Sequence, residues 1–210
     1  MAKIINKTKK IHTSKEKPIS SEIKITSTKF IKGVVGDDSI LASDIPQIAF
    51  IGRSNVGKSS LINALTNSKI SRTSSFPGRT QEINIFLINE SYYLVDLPGY
   101  GFARASGLGR EKIGELIDSY LFNSIYNQKR IVLIIDANVG MTERDITMYQ
   151  ELVHHEKDFI IVANKIDKMT QAEYHKKMTE LKKLVGESRV IPFSTKKRKG
   201  IEALTDEIFS

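Results

Sequence analysis

The sequence predicts an α/β domain of three layers, a mostly parallel central sheet with helices on both faces. Three observations carry that prediction. Apolar runs such as Ile131-Val132-Leu133-Ile134-Ile135-Asp136 and Phe159-Ile160-Ile161-Val162-Ala163-Asn164 read as strands buried on both sides. Segments of helical period alternate with them, the order of a covered parallel sheet. A glycine-bearing turn, Gly52-Arg53-Ser54-Asn55-Val56-Gly57-Lys58-Ser59-Ser60, joins one such run to a helix. A chain of 210 residues holds one full core and is short for two, so one domain over 21–210 is expected behind an arm of residues 1–20.

Taken in order, residues 1–20 are polar, lysine-rich and aperiodic, and read as a flexible arm. Residues 23–31 alternate and are β-branched, which predicts a strand with one buried face. Gly36-Asp37-Asp38-Ser39 makes a loop before the apolar strand 47–51. A helix follows through Leu61-Ile62-Asn63-Ala64-Leu65, and then a Ser/Thr-rich stretch, 71–80, with Pro77-Gly78, reads as a mobile loop. Strands 83–88 and 92–96 flank a turn at Asn89-Glu90. A helix near 109–126 leads to strand 131–136, and another, opened by Thr142 with Asp145 three residues on, leads to strand 159–164. A helix near 171–185 precedes Val190-Ile191-Pro192-Phe193, and Gly200 introduces a short closing helix. There is no internal repeat.

Composition narrows the function classes. With no cysteine there is no disulfide scaffold and no thiolate metal site, which fits a cytoplasmic protein. No run approaches the roughly 18 apolar residues of a membrane span, and the first twenty residues lack a secretory apolar segment. The same leader has no arginine and carries Glu16, unlike a transit peptide. The four histidines, 12, 154, 155 and 175, have no metal-ligand spacing. Residues 1–32 carry nine lysines against Glu16 and Glu22, a local +7 within a net +8. A second cluster, Lys196-Lys197-Arg198-Lys199, lies near the C-terminus. Such segments attract polyphosphate backbones, or serve only as solvated tails.

The turn at Gly52 has the P-loop spacing G-x-x-x-x-G-K-[ST]. Its glycines let backbone N–H groups face phosphate oxygens while the following helix adds its positive end. Lys58 then reaches the β- and γ-phosphates, and the Ser59 hydroxyl can ligate Mg²⁺. After strand 92–96 comes Asp96-Leu97-Pro98-Gly99, 37 residues beyond Ser59. A carboxylate there can hold Mg²⁺ through water, and the Gly99 N–H can approach a γ-phosphate. Thr80, beside Gly78, Arg79 and Gln81, can complete the Mg²⁺ shell only while that phosphate is present, which makes a switch. Lys58, Thr80 and Gly99 are thus the groups expected at the reacting phosphate.

Asn164-Lys165-Ile166-Asp167 has the N-K-x-D form. Guanine presents N1–H and a 2-amino group side by side, and the two oxygens of Asp167 accept both. Adenine would leave that carboxylate unpaired, so the nucleotide is GTP or GDP. Lys165 would lie along the base through its stem, and Asn164 would tie the loops together. Phe193-Ser194-Thr195 resembles the short loop whose backbone N–H binds guanine O6.

Together these motifs resemble the translation-factor-like GTPases. Asn55, Pro77-Gly78-Arg79-Thr80-Gln81 and Asp96-Leu97-Pro98-Gly99-Tyr100-Gly101-Phe102-Ala103 are similar to the EngB family, over about residues 22–208. The resemblance implies a P-loop GTPase domain and a role in assembly of the large ribosomal subunit through its rRNA, with a link to division septum formation. Only 14 residues follow Lys196, which leaves no room for the RNA-binding KH domain of Era-like relatives, and a monomer is expected. The chain departs from the family in having Asn164 for a more frequent Thr, Ser194-Thr195-Lys196 in the general GTPase form, and Asn138 where the family carries Arg. A GTP-dependent signalling switch that docks on proteins without rRNA contact is the competing reading.

Many GTPases orient the attacking water with a Gln four residues after the Mg²⁺-linked Asp, and here that position is Tyr100. A phenol has a single oxygen and cannot accept from and donate to water through two separate atoms as a carboxamide does, so slow intrinsic hydrolysis is expected. The missing help comes from a partner or from a monovalent cation, and related GTPases with Asn at the place of Asn55 bind K⁺. The alternative is that Asn55 merely caps the loop. Arg104, Arg110 and Lys112 would make the second switch basic.

Overall fold

The structure is a computed structural model that describes residues 24–71, 82–101 and 107–210, the side chains of 107, 108 and 110 excepted. The lysine-rich arm, the loop containing Gly78, Arg79, Thr80 and Gln81, and Phe102, Ala103 and Arg104 lie outside the described residues.

Seven strands form one sheet in the order β1-β3-β4-β2-β5-β6-β7. They are β1 (Thr28–Val34), β2 (Gln47–Gly52), β3 (Ile83–Ile88), β4 (Tyr92–Asp96), β5 (Gln128–Asp136), β6 (Phe159–Asn164) and β7 (Val190–Pro192). Only β3 runs against the others, since it pairs antiparallel with both β1 and β4 while the remaining ladders are parallel. This is the expected covered, mostly parallel sheet.

Alternation along β2 shows how the layers form. Ile48 and Phe50 face α1 (Lys58–Leu65) and α5 (Ile201–Phe209), in a core with Leu61, Ile62, Leu204 and Ile208. Ala49 and Ile51 point the other way, into a core closed by α2 (Gly107–Leu121), α3 (Glu143–His154) and α4 (Gln171–Val185). Successive side chains of a strand leave opposite faces, so one buried strand serves both cores. Gln47 is wholly buried and satisfied, donating to Leu41 O at 2.6 Å and accepting from the Tyr120 hydroxyl at 2.8 Å.

Several element boundaries differ from the sequence reading, three of them by several residues. β1 begins at Thr28 because residues 24–27 bond to one side chain instead of a ladder. Asn89 Oδ1 accepts from Thr26 N–H at 2.8 Å and Ser27 N–H at 3.1 Å, and Asn89 Nδ2 donates to Lys24 O at 2.7 Å. α2 stops at Leu121, where the Ser124 hydroxyl takes the Tyr120 carbonyl at 2.6 Å. β5 starts earlier, at Gln128, because polar Arg130 is buried against Asp158 and Glu207.

Candidate functional site

The P-loop lies where β2 ends, between the ends of β4 and β5, the crevice in which open α/β sheets bind ligands. β2 delivers Gly52, and the turn closes with Asn55 at φ 68° and Gly57 at φ 96°, both left-handed. A Cβ on Gly57 would stand 2.6 Å from Asn164 Nδ2, so this position requires glycine for space as well as for backbone angle. α1 starts at once with Lys58, which places Lys58, Ser59 and Ser60 in its first turn.

Asp96 ends β4 beside this turn and is 2% exposed. Its Oδ1 forms an ion pair with the Lys58 ammonium, itself mostly buried, and its Oδ2 accepts from the Ser71 hydroxyl at 3.0 Å. In the sequence Ser71 is only the first residue of a loop, with nothing to mark this bond. The following Leu97-Pro98-Gly99 passes over the P-loop so closely that a Cβ on Gly99 would be 3.2 Å from Ser54 N. Backbone bonds fasten the two turns, from Ser54 N–H to Tyr100 O at 3.1 Å and from Tyr100 N–H to Gly52 O at 3.3 Å.

The Tyr100 phenol turns to α3, donating to Asp145 Oδ1 at 2.7 Å. Asp145 is 0% exposed, and its Oδ2 accepts from Thr142 N–H at 2.9 Å and from the Thr142 hydroxyl at 2.7 Å. Arg53 of the P-loop approaches the same carboxylate at 3.8 Å. Burial, reinforced by the Asp145 charge, pushes the Tyr100 phenol far above its ordinary pKa, so it stays protonated. The sequence marks Asp145 as a helix cap; its link to the P-loop has no local signal.

At the end of β6, Asn164 Nδ2 donates to Val56 O at 2.9 Å. Lys165, at φ 66°, spans back to the P-loop, donating to Asn55 O at 2.6 Å and to Asp136 Oδ2 at 2.8 Å. Asp136 also accepts, through Oδ1, from the backbone N–H of Asn138 at 3.1 Å, a bond that does not depend on the side chain at 138. Ile166 N–H donates to Phe193 O at 3.2 Å, bringing the Asp167 turn against the loop after β7. There the buried Ser194 hydroxyl donates to Asp167 Oδ1 at 2.5 Å. That bond, helped by the charges of Lys196 and Lys197, holds the Asp167 carboxyl below its usual range. Among the described residues, buried Asn164 Oδ1 and Thr195 Oγ1 have no hydrogen-bond partner, leaving two polar atoms beside this loop pair for a ligand to satisfy.

The described residues thus bring the phosphate turn, Asp96 and Gly99, and the Asn164–Asp167 and Phe193–Thr195 loops to neighbouring strand ends, while Gly78, Arg79, Thr80 and Gln81 fall outside them. Among the described residues, no group of three or more His, Cys, Asp or Glu is arranged as a metal site, so any metal here would rest on hydroxyl and single-carboxylate oxygens.

Residues 47–165 match the family model described as a 50S ribosome-binding GTPase, and residues 123–210 match that of the elongation factor Tu GTP-binding domain. The probable GTP-binding protein EngB of Clostridium botulinum (strain Alaska E43 / Type E3) is 40% identical over 191 residues, covering 89% of this chain and 96% of that protein. A crystal structure of a probable GTP-binding protein EngB superposes with a TM-score of 0.65 at 29% identity, over 78% of this chain and 96% of that one. Era, in its complex with MgGDPNP and nucleotides 1506–1542 of 16S ribosomal RNA, superposes with a TM-score of 0.64 at 27% identity, over 78% of this chain and 55% of that one. Similarity that runs nearly end to end through an EngB protein, on a sheet whose strand ends carry a phosphate turn and a base loop, leads to one assignment: the chain belongs to the EngB family and is a GTP-hydrolysing enzyme.

Proposed function

We propose that this GTPase is a Mg²⁺-dependent switch in assembly of the large ribosomal subunit, acting as a cytoplasmic monomer and needed for normal division and septation. The observation that carries the ribosomal reading is the match of residues 47–165 to a family described as 50S ribosome-binding. Era was crystallised with ribosomal RNA, and the +8 charge of this chain suits a polyphosphate partner. Among the described residues no helix is long and apolar enough to cross a membrane.

Lys58 and the P-loop amides of residues 52–60 bind the phosphates, and Gly99 N–H meets the γ-phosphate together with Thr80. Ser59 and Asp96 suit Mg²⁺ because both are hard oxygen donors, and Asp96 already sits against a cation in Lys58. Mg²⁺ supplies neutralisation of the charge on the transferring phosphoryl group. Asp167, held ionised by Ser194, reads guanine N1–H and the 2-amino group, while Lys165 lies under the base and the Thr195 N–H meets O6, since the N–H groups of Phe193 and Ser194 are taken by Ala163 O and Lys199 O. Tyr100 is engaged by Asp145, so among the described residues no side chain of this turn is left to orient water, which favours slow intrinsic turnover. Asn55 is exposed and its side chain makes no hydrogen bond among the described residues, which favours a K⁺ contact over a capping role.

Co-sedimentation with isolated large subunits tests the reading. Binding with a non-hydrolysable GTP analogue, weakened by salt and lost with GDP, is expected; equal binding in both nucleotides contradicts it. One observation favours protein docking instead, a cleft of about 580 Å³ between α2 and α3 with Phe122 and Met148 on its walls and Asp118 and Glu151 at its rim. Nucleotide-dependent association with a protein in the absence of ribosomes would select that alternative.

A further inference from the structure

The loop joining β7 to α5 carries Lys196, Lys197, Arg198 and Lys199, four consecutive cations that are all exposed. Some other cations among the described residues have counter-ions, as in Lys32 with Asp38, Arg130 with Asp158 and Arg189 with Glu207. Among the described residues none of these four side chains forms a salt bridge. Nor is the loop slack. Ser194 N–H donates to Lys199 O at 3.0 Å, Lys199 N–H returns a bond to Ser194 O at 3.1 Å, and Arg198 takes φ 50° to close the turn. Four like charges on a closed turn repel one another until anions neutralise them.

The loop is also wired to the nucleotide site. The Ser194 hydroxyl, wholly buried, donates to Asp167 Oδ1 at 2.5 Å and accepts from the Lys197 N–H at 3.1 Å. One oxygen therefore holds both the carboxylate that reads guanine and the middle of the basic turn.

We propose that loop 195–199 is a docking site for the phosphate backbone of single-stranded RNA, and that Ser194 passes its occupancy to Asp167, loosening the base contact so that GDP, which lacks the γ-phosphate contacts that retain GTP, leaves faster. The identity of the RNA, as part of the large subunit, rests on the ribosomal reading above. An anionic membrane fits less well, because no residue of 195–199 is apolar and nothing would enter the lipid. A phosphate that draws the lysines outward strains the Lys197 N–H bond and loosens Ser194 from Asp167.

The test uses the full chain, with a short oligouridylate and isolated large subunits as probes and an anionic polyglutamate as control. The triple variant Lys196→Gln/Lys197→Gln/Lys199→Gln spares Arg198, whose left-handed backbone a substitution could disturb. Its salt slope for oligouridylate should fall by about 2, near 0.7 for each phosphate that the variant leaves without a cation. Oligouridylate should speed GDP release by wild type about fivefold or more, the lower range of measured site couplings. That acceleration should vanish in the triple variant and in Ser194→Ala, the latter with the wild-type salt slope. An unchanged slope in the triple variant, or equal loop-dependent binding of polyglutamate, overturns the docking site. Acceleration that survives Ser194→Ala overturns the relay. Loop-dependent oligouridylate binding without binding to subunits supports the site and sinks the ribosomal reading instead.

Discussion

Tyr100 donates its phenol hydrogen to Asp145 at 2.7 Å, tying the turn after β4 to the first turn of α3. Tyr100 stands where other GTPases carry their water-orienting Gln, and here its polar atom is already committed. Tyr100→Phe leaves one oxygen of buried Asp145 short of a donor, which should cost about 1–3 kcal/mol in urea unfolding. GTP turnover should stay within a few-fold of wild type. A tenfold loss of kcat at unchanged KM would show that the phenol acts on the reacting water.

Asp167 sets both base choice and acid tolerance. Its pKa is depressed in the folded protein, so the stability it contributes is present above the ordinary carboxylate value and is lost as pH falls through the lower folded value. Ser194→Ala removes the largest cause of that depression, and the acid limb of GDP binding should move to higher pH. Asp167→Asn should weaken GTP by about 100-fold or more and favour xanthine nucleotides, since the paired acceptors are gone. Competition binding across pH reads both effects, and an unchanged GTP preference refutes the base assignment.

Gly57 separates packing from backbone strain. Gly57 and Gly186 both have positive φ, at 96° and 58°, but a Cβ meets Asn164 Nδ2 at 2.6 Å in the first and nothing within 4 Å in the second. Gly186→Ala should lose about 1–3 kcal/mol from conformation alone and keep nucleotide affinity. Gly57→Ala should also break the Asn164 bridge to Val56 and lose GDP binding. Isothermal titration of the two variants compares them directly.

Exposed Asn55 makes a cation the expected helper of hydrolysis. Turnover should rise about tenfold in K⁺ over Na⁺ at equal ionic strength, close to 1.4 kcal/mol of barrier. Asn55→Ala should erase the difference. Equal rates for wild type in the two salts would remove K⁺ from the mechanism.

Much of the fold is legible in the sequence because buried parallel strands write themselves as apolar runs, and the covered sheet follows from 131–136 and 159–164 alone. The phosphate and base loops are legible because glycines and an Asp at fixed offsets serve one ligand. The ties between these loops leave no such trace. Ser71 meets Asp96 across 25 residues, Lys165 meets Asp136 across 29, and Tyr100 meets Asp145 across 45. Contacts at those separations come from strand order, which periodicity does not encode. The start of β1 is hidden for a similar reason: Asn89, 63 residues from Thr26, takes the backbone bonds that an alternating pattern assigns to a ladder.

On the ribosomal proposal, GTP holds this protein on the immature large subunit. The most direct measurement blocks hydrolysis in lysate with a non-hydrolysable GTP analogue and identifies the particles that co-purify with the tagged full chain. Lysate arrested with the analogue should yield large-subunit precursors, and GDP should release them. Particles recovered equally in GDP, or none recovered with the analogue, would contradict the account.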